Sequence, residues 1–156
     1  MDNNFSDETR MGAAGAALLR GTGLSVHQDQ FTMVSVSKEQ WPELLADNSL
    51  SPAGSSPFMI FSDGYEVTLV LNSGDFANIR RAIGGSGVER GFRLLTFTTA
   101  MDFSVVGFLA EVSRILAAAG IPIVALSAFS RDHLLIRQDD LAAALKALGP
   151  YVEELC

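Results

Sequence analysis

The sequence predicts an α+β fold in which an antiparallel sheet carries helices on one face. The order strand, helix, hairpin, helix occurs twice, over residues 31–83 and again over residues 92–148. Two apolar runs joined by Asp63-Gly64 give the clearest hairpin signal, because this dipeptide favours a two-residue turn between antiparallel strands. The doubled order predicts an internal repeat of two packed units, and it leaves open the exchange of a strand between them.

Residues 1–23 are predicted to form a mobile tail, in which a short helix is left open. Their apolar run, Met11–Leu19, is far shorter than the roughly 20 residues that cross a bilayer. Asp2, Asp7 and Glu8 argue against a secretory signal or a transit peptide. Because the segment offers few large apolar side chains, we expect it to be dispensable for stability.

The first unit, residues 24–91, follows one cycle of the repeated order. Its predicted elements are a strand at Phe31–Val36, a helical turn at Gln40–Ala46, the hairpin Pro57–Leu71 and a helix at Asn72–Ile83. Ser73 or Asp75 is the expected cap of that helix. The glycine-rich segment Gly84–Gly87 lacks the Gly-x-x-x-x-Gly-Lys-Ser/Thr pattern of a phosphate-binding loop, so we interpret it as a linker.

The second unit, residues 92–156, repeats the cycle with a full first helix. Its predicted elements are a strand at Phe92–Phe97, a helix at Ser104–Ala119, strands at Ile121–Ser127 and His133–Ile136, and a final helix capped by Asp139 or Asp140. An apolar stripe at helical spacing defines the longer helix. Asp102 or Ser104 is its expected cap, and Gly120 has the place of a left-handed C-terminal cap.

Gly107 is unusual because it falls in the first turn of that helix, where glycine costs roughly 1 kcal/mol relative to alanine. One interpretation is tight packing between the helix and a strand. The other is that a backbone or a ligand passes close to the helix start.

The segment MDFSVVGFLAEVSRILAAAGIPIVALSAFSRDHLLI, residues 101–136, resembles an ACT domain, the small ferredoxin-like module that senses amino acids. It is most similar to small tandem ACT proteins related to the cytosolic arginine sensors. The matching positions include Asp102, Phe103, Ser104, Gly107, Leu109, Gly120, Ser127 and Asp132. The resemblance implies ferredoxin-like βαββαβ units, and Glu66–Val70 resembles the acidic strand of the family's first copy. Ala128, Phe129 and His133 depart from the family pattern where its ligand pocket would be.

The turn Asp102–Gly107 has the chemistry of a ligand site. A helix start presents unpaired N–H groups that can bind a carboxylate. Asp102 and Asp132 can hold an ammonium group, although both can equally be a cap and a turn residue. With the resemblance, the residues that we assign to the ligand site are Asp102, Phe103, Ser104, Val105, Gly107, Ser127, Asp132, His133 and Glu66.

Composition excludes several other functions. The formal net charge is −7 and Lys and Arg are not clustered, which argues against a nucleic-acid or anionic-membrane surface. Cys156 is the single cysteine, so no intrachain disulfide is possible. His27 and His133 lack the spacing of metal ligands, and we expect neither a metal nor another cofactor.

We therefore expect a cytoplasmic homodimer that binds a small molecule, an amino acid by the resemblance, and acts on a partner as a regulatory or sensor module. The alternative is a small enzyme on the same frame, with Asp102, Asp132, His133 and Glu66 as acid–base residues. A purely structural dimerisation unit is the third possibility.

Overall fold

The structure is a computed structural model, and it describes residues 13–52, 54, 56–84 and 87–156. The helices and strands are α1 at residues 13–20, β1 at Gly23–Val36, α2 at Trp41–Ala46, β2 at Met59–Ser62, β3 at Val67–Asn72, α3 at Ser73–Ile79, β4 at Gly87–Phe97, α4 at Phe108–Ala118, β5 at Val124–Ser127, β6 at Asp132–Arg137, α5 at Leu141–Leu148 and β7 at Glu154–Leu155.

The described chain forms two compact units. Unit A contains residues 13–28 and 93–156, and unit B contains residues 29–92. The division passes through β1 and β4, so each of these long strands contributes residues to both units. The predicted first unit included residues 24–28, whereas the structure groups them with residues 93–156.

Unit B has the strand order β4-β1-β3-β2 with helices α2 and α3. The β1–β3 register runs antiparallel from Phe31 opposite Asn72 to Val36 opposite Val67. In chain order the unit is βαββαβ, and its first and third strands, β1 and β3, are the central ones. The buried core of the unit is formed by Val34, Val36, Leu44, Val67, Leu69, Leu71, Phe76, Ile79 and Ile83.

The hairpin of unit B is confirmed, but its turn is longer than the two residues predicted. Ser62 pairs with Val67, so residues 63–66 form the connection. The Asp63 carboxylate accepts hydrogen bonds from the amides of Tyr65 and Glu66, at 2.7 and 2.8 Å. The Asp63 amide donates to the Glu66 carbonyl at 3.1 Å, so the first and last residues of the connection are also joined through the backbone.

Unit A has the strand order β7-β1-β4-β6-β5 with helices α1, α4 and α5. The Thr98 amide donates to the Gly23 carbonyl at 2.9 Å, and Gly23 pairs on its other side with Glu154 of β7. The β7 pairing is parallel, unlike the antiparallel arrangement predicted for the whole sheet. The buried core is formed by Leu19, Leu24, Leu95, Phe97, Phe108, Val112, Ile115, Leu116, Ile121, Leu134, Ile136, Ala144 and Leu148.

The prediction of a mobile tail is wrong for residues 13–23. Leu19 of α1 is fully buried in the core of unit A, and Leu18 packs against that core. Thr22 is also buried, and its hydroxyl oxygen accepts a hydrogen bond from the Thr99 amide at 3.1 Å. The burial of Leu19 and the hydrogen bond between Thr22 and Thr99 attach this segment to unit A, although the segment contains few large apolar side chains. Residues 1–12 of the predicted tail lie outside the described residues.

Helix α4 begins at Phe108, four residues later than predicted. Gly107 is its N-cap residue and has a left-handed conformation, with φ at +86°. A left-handed residue cannot continue a helix backwards, so the apolar periodicity at residues 104–106 does not extend it. A Cβ atom on Gly15 of α1 would collide with the Gly107 carbonyl, so a backbone does approach the helix start closely.

Three further helix ends bear on the capping predictions. Asn72, rather than Ser73 or Asp75, caps α3 by accepting from the amides of Gly74 and Asp75. Asp140 has the predicted cap position of α5, but its side chain makes no capping hydrogen bond. The prediction for Gly120 is confirmed, since it follows α4 with φ at +72°.

Among the described residues, no helix combines the length and the apolar character needed to cross a membrane.

Replacing Leu19 tests the attachment of α1. Leu19→Ala should lower the free energy of unfolding by about 2–5 kcal/mol, because the side chain is fully buried and its removal leaves a cavity. Chemical denaturation measures this change. Leu45→Ala is the matched control, since Leu45 is 60% exposed and its truncation should cost little. Equal effects of the two substitutions would contradict the assignment of Leu19 to the core.

Replacing Gly107 tests the left-handed cap. Gly107→Ala should destabilise the protein by about 1–2 kcal/mol, because a Cβ atom disfavours φ near +86°. Gly64→Ala is the control, since a Cβ atom there would meet nothing within 4 Å and its φ is not left-handed. Thermal unfolding of both variants makes the comparison, and an unchanged midpoint for Gly107→Ala would refute the conformation.

Candidate functional site

Two segments of unit A enclose a pocket of about 290 Å³. One segment is the loop that leads into α4 together with the first turn of that helix. The other is the turn between β5 and β6. The lining residues are Met101, Asp102, Phe103, Val105, Gly107, Phe108, Leu109, Ala110, Ser127, Ala128, Phe129, Ser130, Arg131 and Asp132.

Backbone and ring contacts hold the two segments together. The Met101 amide donates to the Ser130 carbonyl at 2.8 Å. The rings of Phe103 and Phe129 meet edge to face, with centroids 5.1 Å apart. These rings are 79% and 83% exposed, so the pair retains most of its apolar surface for another contact. The pocket is therefore bordered by two aromatic side chains, one from each segment.

Two carboxylates line the pocket, and each has a partner of its own. The Ser127 hydroxyl donates to Oδ1 of Asp132 at 2.6 Å, across the ends of β5 and β6. The Ser104 amide donates to Oδ1 of Asp102 at 2.8 Å. The hydrogen bonds from Ser104 hold the pKa of Asp102 below its usual value, so this carboxylate stays charged at neutral pH. Both side chains are oriented and can accept from a cationic group.

The start of α4 is the positive end of the helix dipole, opposite in charge to the two carboxylates. Phe108, Leu109 and Ala110 form its first turn and line the pocket. No side chain caps this end of the helix. The first N–H groups of a helix lack partners within it, and the helix dipole favours an anion at that end. The pocket therefore combines a helix start, two carboxylates and an apolar floor formed by Phe108 and Leu109.

Six of the nine residues predicted for the ligand site line this pocket. They are Asp102, Phe103, Val105, Gly107, Ser127 and Asp132. Ser104 contributes its amide to Asp102 but does not itself line the pocket. Neither His133 nor Glu66 is a lining residue.

His133 and Glu66 are engaged elsewhere. Nδ1 of His133 lies 2.9 Å from the Thr96 hydroxyl oxygen, and burial lowers the pKa of the imidazole below its usual value. Glu66 belongs to unit B, where its carboxylate accepts a hydrogen bond from Ser35. The pocket thus does not bring together the four residues of the acid–base alternative. Within the described part of the chain, no three His, Cys, Asp or Glu side chains are grouped as a metal site would require.

Eight lining residues were not among those predicted for the ligand site: Met101, Phe108, Leu109, Ala110, Ala128, Phe129, Ser130 and Arg131. Ser130 and Arg131 fall between the predicted strands Ile121–Ser127 and His133–Ile136, and no role in the site was assigned to them. The predicted hairpin was the available signal. The turn between β5 and β6 lies at the same end of the sheet as Ser127 and Asp132, so its residues border the same pocket. Arg131 carries the one positive charge among the described lining residues.

A smaller cavity of about 70 Å³ lies within unit B. Its walls are nearly all apolar, and the lining residues are Trp41, Leu44, Leu45, Leu50, Ser51, Pro52, Ile60, Leu69, Leu71 and Ile79. It offers no charged group that could orient a polar ligand.

Comparison with solved structures finds chains of the same fold. A structural-genomics target from Agrobacterium tumefaciens has a TM-score of 0.68 and 20% identity, over 87% of this chain and 92% of that one. A Vibrio cholerae protein, described as a possible transport protein, has a TM-score of 0.65 and 20% identity, over 91% and 96%. The ligand-free regulatory subunit of aspartate kinase from Thermus thermophilus has a TM-score of 0.59 and 10% identity, over 85% and 98%. At these identities the likeness establishes the fold.

Comparison with curated proteins finds no match. The ACT domain family, by contrast, is matched over residues 87–149. That range contains every residue that lines the larger pocket. The described chain has the ferredoxin-like fold of ACT domains, and residues 87–149 match that family in sequence.

Proposed function

We propose that this protein is an amino-acid-binding regulatory module that acts on a partner as a sensor. The observation that carries the proposal is the 290 Å³ pocket in unit A, which is lined by the start of α4 together with Asp102 and Asp132. A free amino acid carries a carboxylate and an ammonium group a few ångströms apart. A helix start binds the first and carboxylates bind the second.

The family match supports the same proposal, because it covers this pocket in full. The likeness to a regulatory subunit of aspartate kinase supports a regulatory role by analogy of fold. We extend the proposal to a tandem arrangement of two ACT units. The elements from β1 to α3 and those from β4 to α5 follow the same order of strand, helix, two strands and helix. A relation to the arginine sensors remains part of the proposal, and so does a cytoplasmic location.

Ligand binding is expected to raise thermal stability. Each of the twenty common L-amino acids, added singly, should be compared by differential scanning fluorimetry. A ligand present at about 100 times its Kd stabilises the folded state by about 2.7 kcal/mol, which is a readily measured shift. If no amino acid shifts the midpoint, the amino-acid proposal fails.

Asp132→Asn should then weaken binding of the amino acid about tenfold or more, because the ammonium group loses a charged acceptor. The substitution keeps an oxygen for the Ser127 hydroxyl, so the turn should survive. The deaminated analogue of the same ligand should bind both proteins equally. Asp139→Asn is the matched control, since Asp139 is exposed and does not line the pocket. Isothermal titration that finds no effect of Asp132→Asn would remove Asp132 from the site.

We further propose a homodimer formed through the edge strand β2. This strand has β3 as its hydrogen-bonded neighbour and ends the strand order of unit B. Ile60 and Phe61 of this strand are 43% and 57% exposed. An apolar edge strand is a template for pairing with another chain.

Light scattering at high micromolar concentration should therefore give twice the mass of one chain. Phe61→Lys should shift the mass toward that of a monomer, because a charge on an edge strand disfavours pairing. Tyr65→Lys is the control, since Tyr65 is 91% exposed in the turn beyond the strand. A wild-type monomer at that concentration would overturn the proposed dimer.

A further inference from the structure

We infer that Arg131 is the specificity-determining residue of the pocket, and that it selects ligands carrying a carboxylate. The inference rests on the proposed amino-acid-binding function and assigns one of its chemical requirements to one side chain. Arg131 lies in the turn between β5 and β6, directly before β6 begins. It lines the pocket beside Asp132 and Phe129.

Two hydrogen bonds orient the Arg131 guanidinium. Its Nε donates to the Thr98 carbonyl at 3.0 Å, and its Nη1 donates to the Ser130 hydroxyl oxygen at 3.3 Å. Nη2 makes no hydrogen bond to the described residues. A guanidinium has five N–H donors in a rigid planar fork, so fixing two nitrogens also fixes the direction of the third. The group is thus oriented before any ligand arrives.

The two carboxylates that line the pocket do not form an ion pair with Arg131. Arg131 forms no ion pair with any described residue, although Asp102 and Asp132 line the same pocket. Those carboxylates are oriented by Ser104 and Ser127 instead. An oriented guanidinium that is not paired with a carboxylate of the protein can bind a carboxylate ligand through two parallel hydrogen bonds.

The apolar floor of the pocket strengthens this preference. Phe108 is 3% exposed, and its neighbour Leu109 is half-buried. A ligand that covers this floor excludes water from the guanidinium, and electrostatic attraction is stronger where water is excluded. Arg131 and the α4 start then both favour the anionic end of a zwitterion, while Asp102 and Asp132 favour its cationic end.

A purely structural role is the competing explanation, because the Arg131–Thr98 hydrogen bond also ties the turn to the chain after β4. The two roles differ in their effect on ligand discrimination. A structural role predicts that loss of Arg131 weakens every ligand alike. A specificity role predicts that ligands with a carboxylate weaken and ligands without one do not.

The test uses the full chain and two probes in isothermal titration. The first probe is the L-amino acid that gives the largest fluorimetry shift, and the second is its α-amide, which lacks the carboxylate charge. The proteins are wild type, Arg131→Gln, Arg131→Lys and the control Arg81→Gln. Arg81 is exposed in unit B and does not line the pocket, so the control removes one positive charge elsewhere.

Wild type should bind the amino acid about 10- to 100-fold more tightly than the amide, as expected for a charged hydrogen-bonded pair. Arg131→Gln should reduce that ratio to about one by weakening the amino acid alone. Arg131→Lys should keep part of the ratio, because the charge remains while the fork is lost. Arg81→Gln should leave the ratio unchanged.

A ratio in Arg131→Gln equal to that of wild type would overturn the inference and leave the proposed function standing. Equal weakening of both probes would also overturn it in favour of the structural role. If wild type binds no amino acid, the proposed function itself fails and the inference fails with it. Thermal unfolding of each variant separates a loss of binding from a loss of fold.

Discussion

The contact between Phe97 and Phe108 fixes the start of α4, and the pocket depends on that start. The two rings meet edge to face with centroids 4.9 Å apart, and both are almost completely buried. Phe97 ends β4, whereas Phe108 begins α4, so one apolar contact joins the ends of both elements. The ten residues between them must then form a loop at the surface, and this loop carries Asp102 and Phe103 to the rim of the pocket.

The second wall of the pocket depends on hydrogen bonds rather than on burial. Phe129 and Arg131 are exposed, so the apolar core contributes little to the position of their turn. Backbone bonds from Met101 to Ser130 and within the turn from Ala128 to Arg131 hold it instead. The Arg131–Thr98 hydrogen bond also ties this turn to the chain after β4.

Much of the fold could be predicted because periodicity reports burial directly. The apolar stripe on α4 and the alternation in β1 both correspond to buried faces. The start of α4 could not be predicted, because the left-handed conformation of Gly107 accompanies a close approach by Gly15, a residue far away in the sequence. The burial of Leu19 was missed for a similar reason, since an alanine-rich run gives no sign of which partner will cover it.

The site was predictable where its residues belong to a local motif. Asp102, Phe103 and Gly107 lie within one short loop, so their proximity follows from the sequence alone. Asp132 and Ser127 were added through the resemblance to the ACT family, and the structure pairs them across β5 and β6. Arg131 could not be assigned a role in this way. A turn residue shows neither periodicity nor burial, and its contact with Thr98 depends on the tertiary fold.

The pairing of Gly23 has a consequence for how the chain folds. Gly23 and Thr98 are separated by 75 residues, and the β1–β7 pairing closes a still longer loop. Unit B, in contrast, is one continuous stretch whose hairpin needs only local contacts. Folding rates fall as contacts become less local, since loop closure costs entropy before the contact stabilises anything. During synthesis, unit B therefore can acquire its structure first, whereas unit A has to wait until residues on both sides of unit B are available.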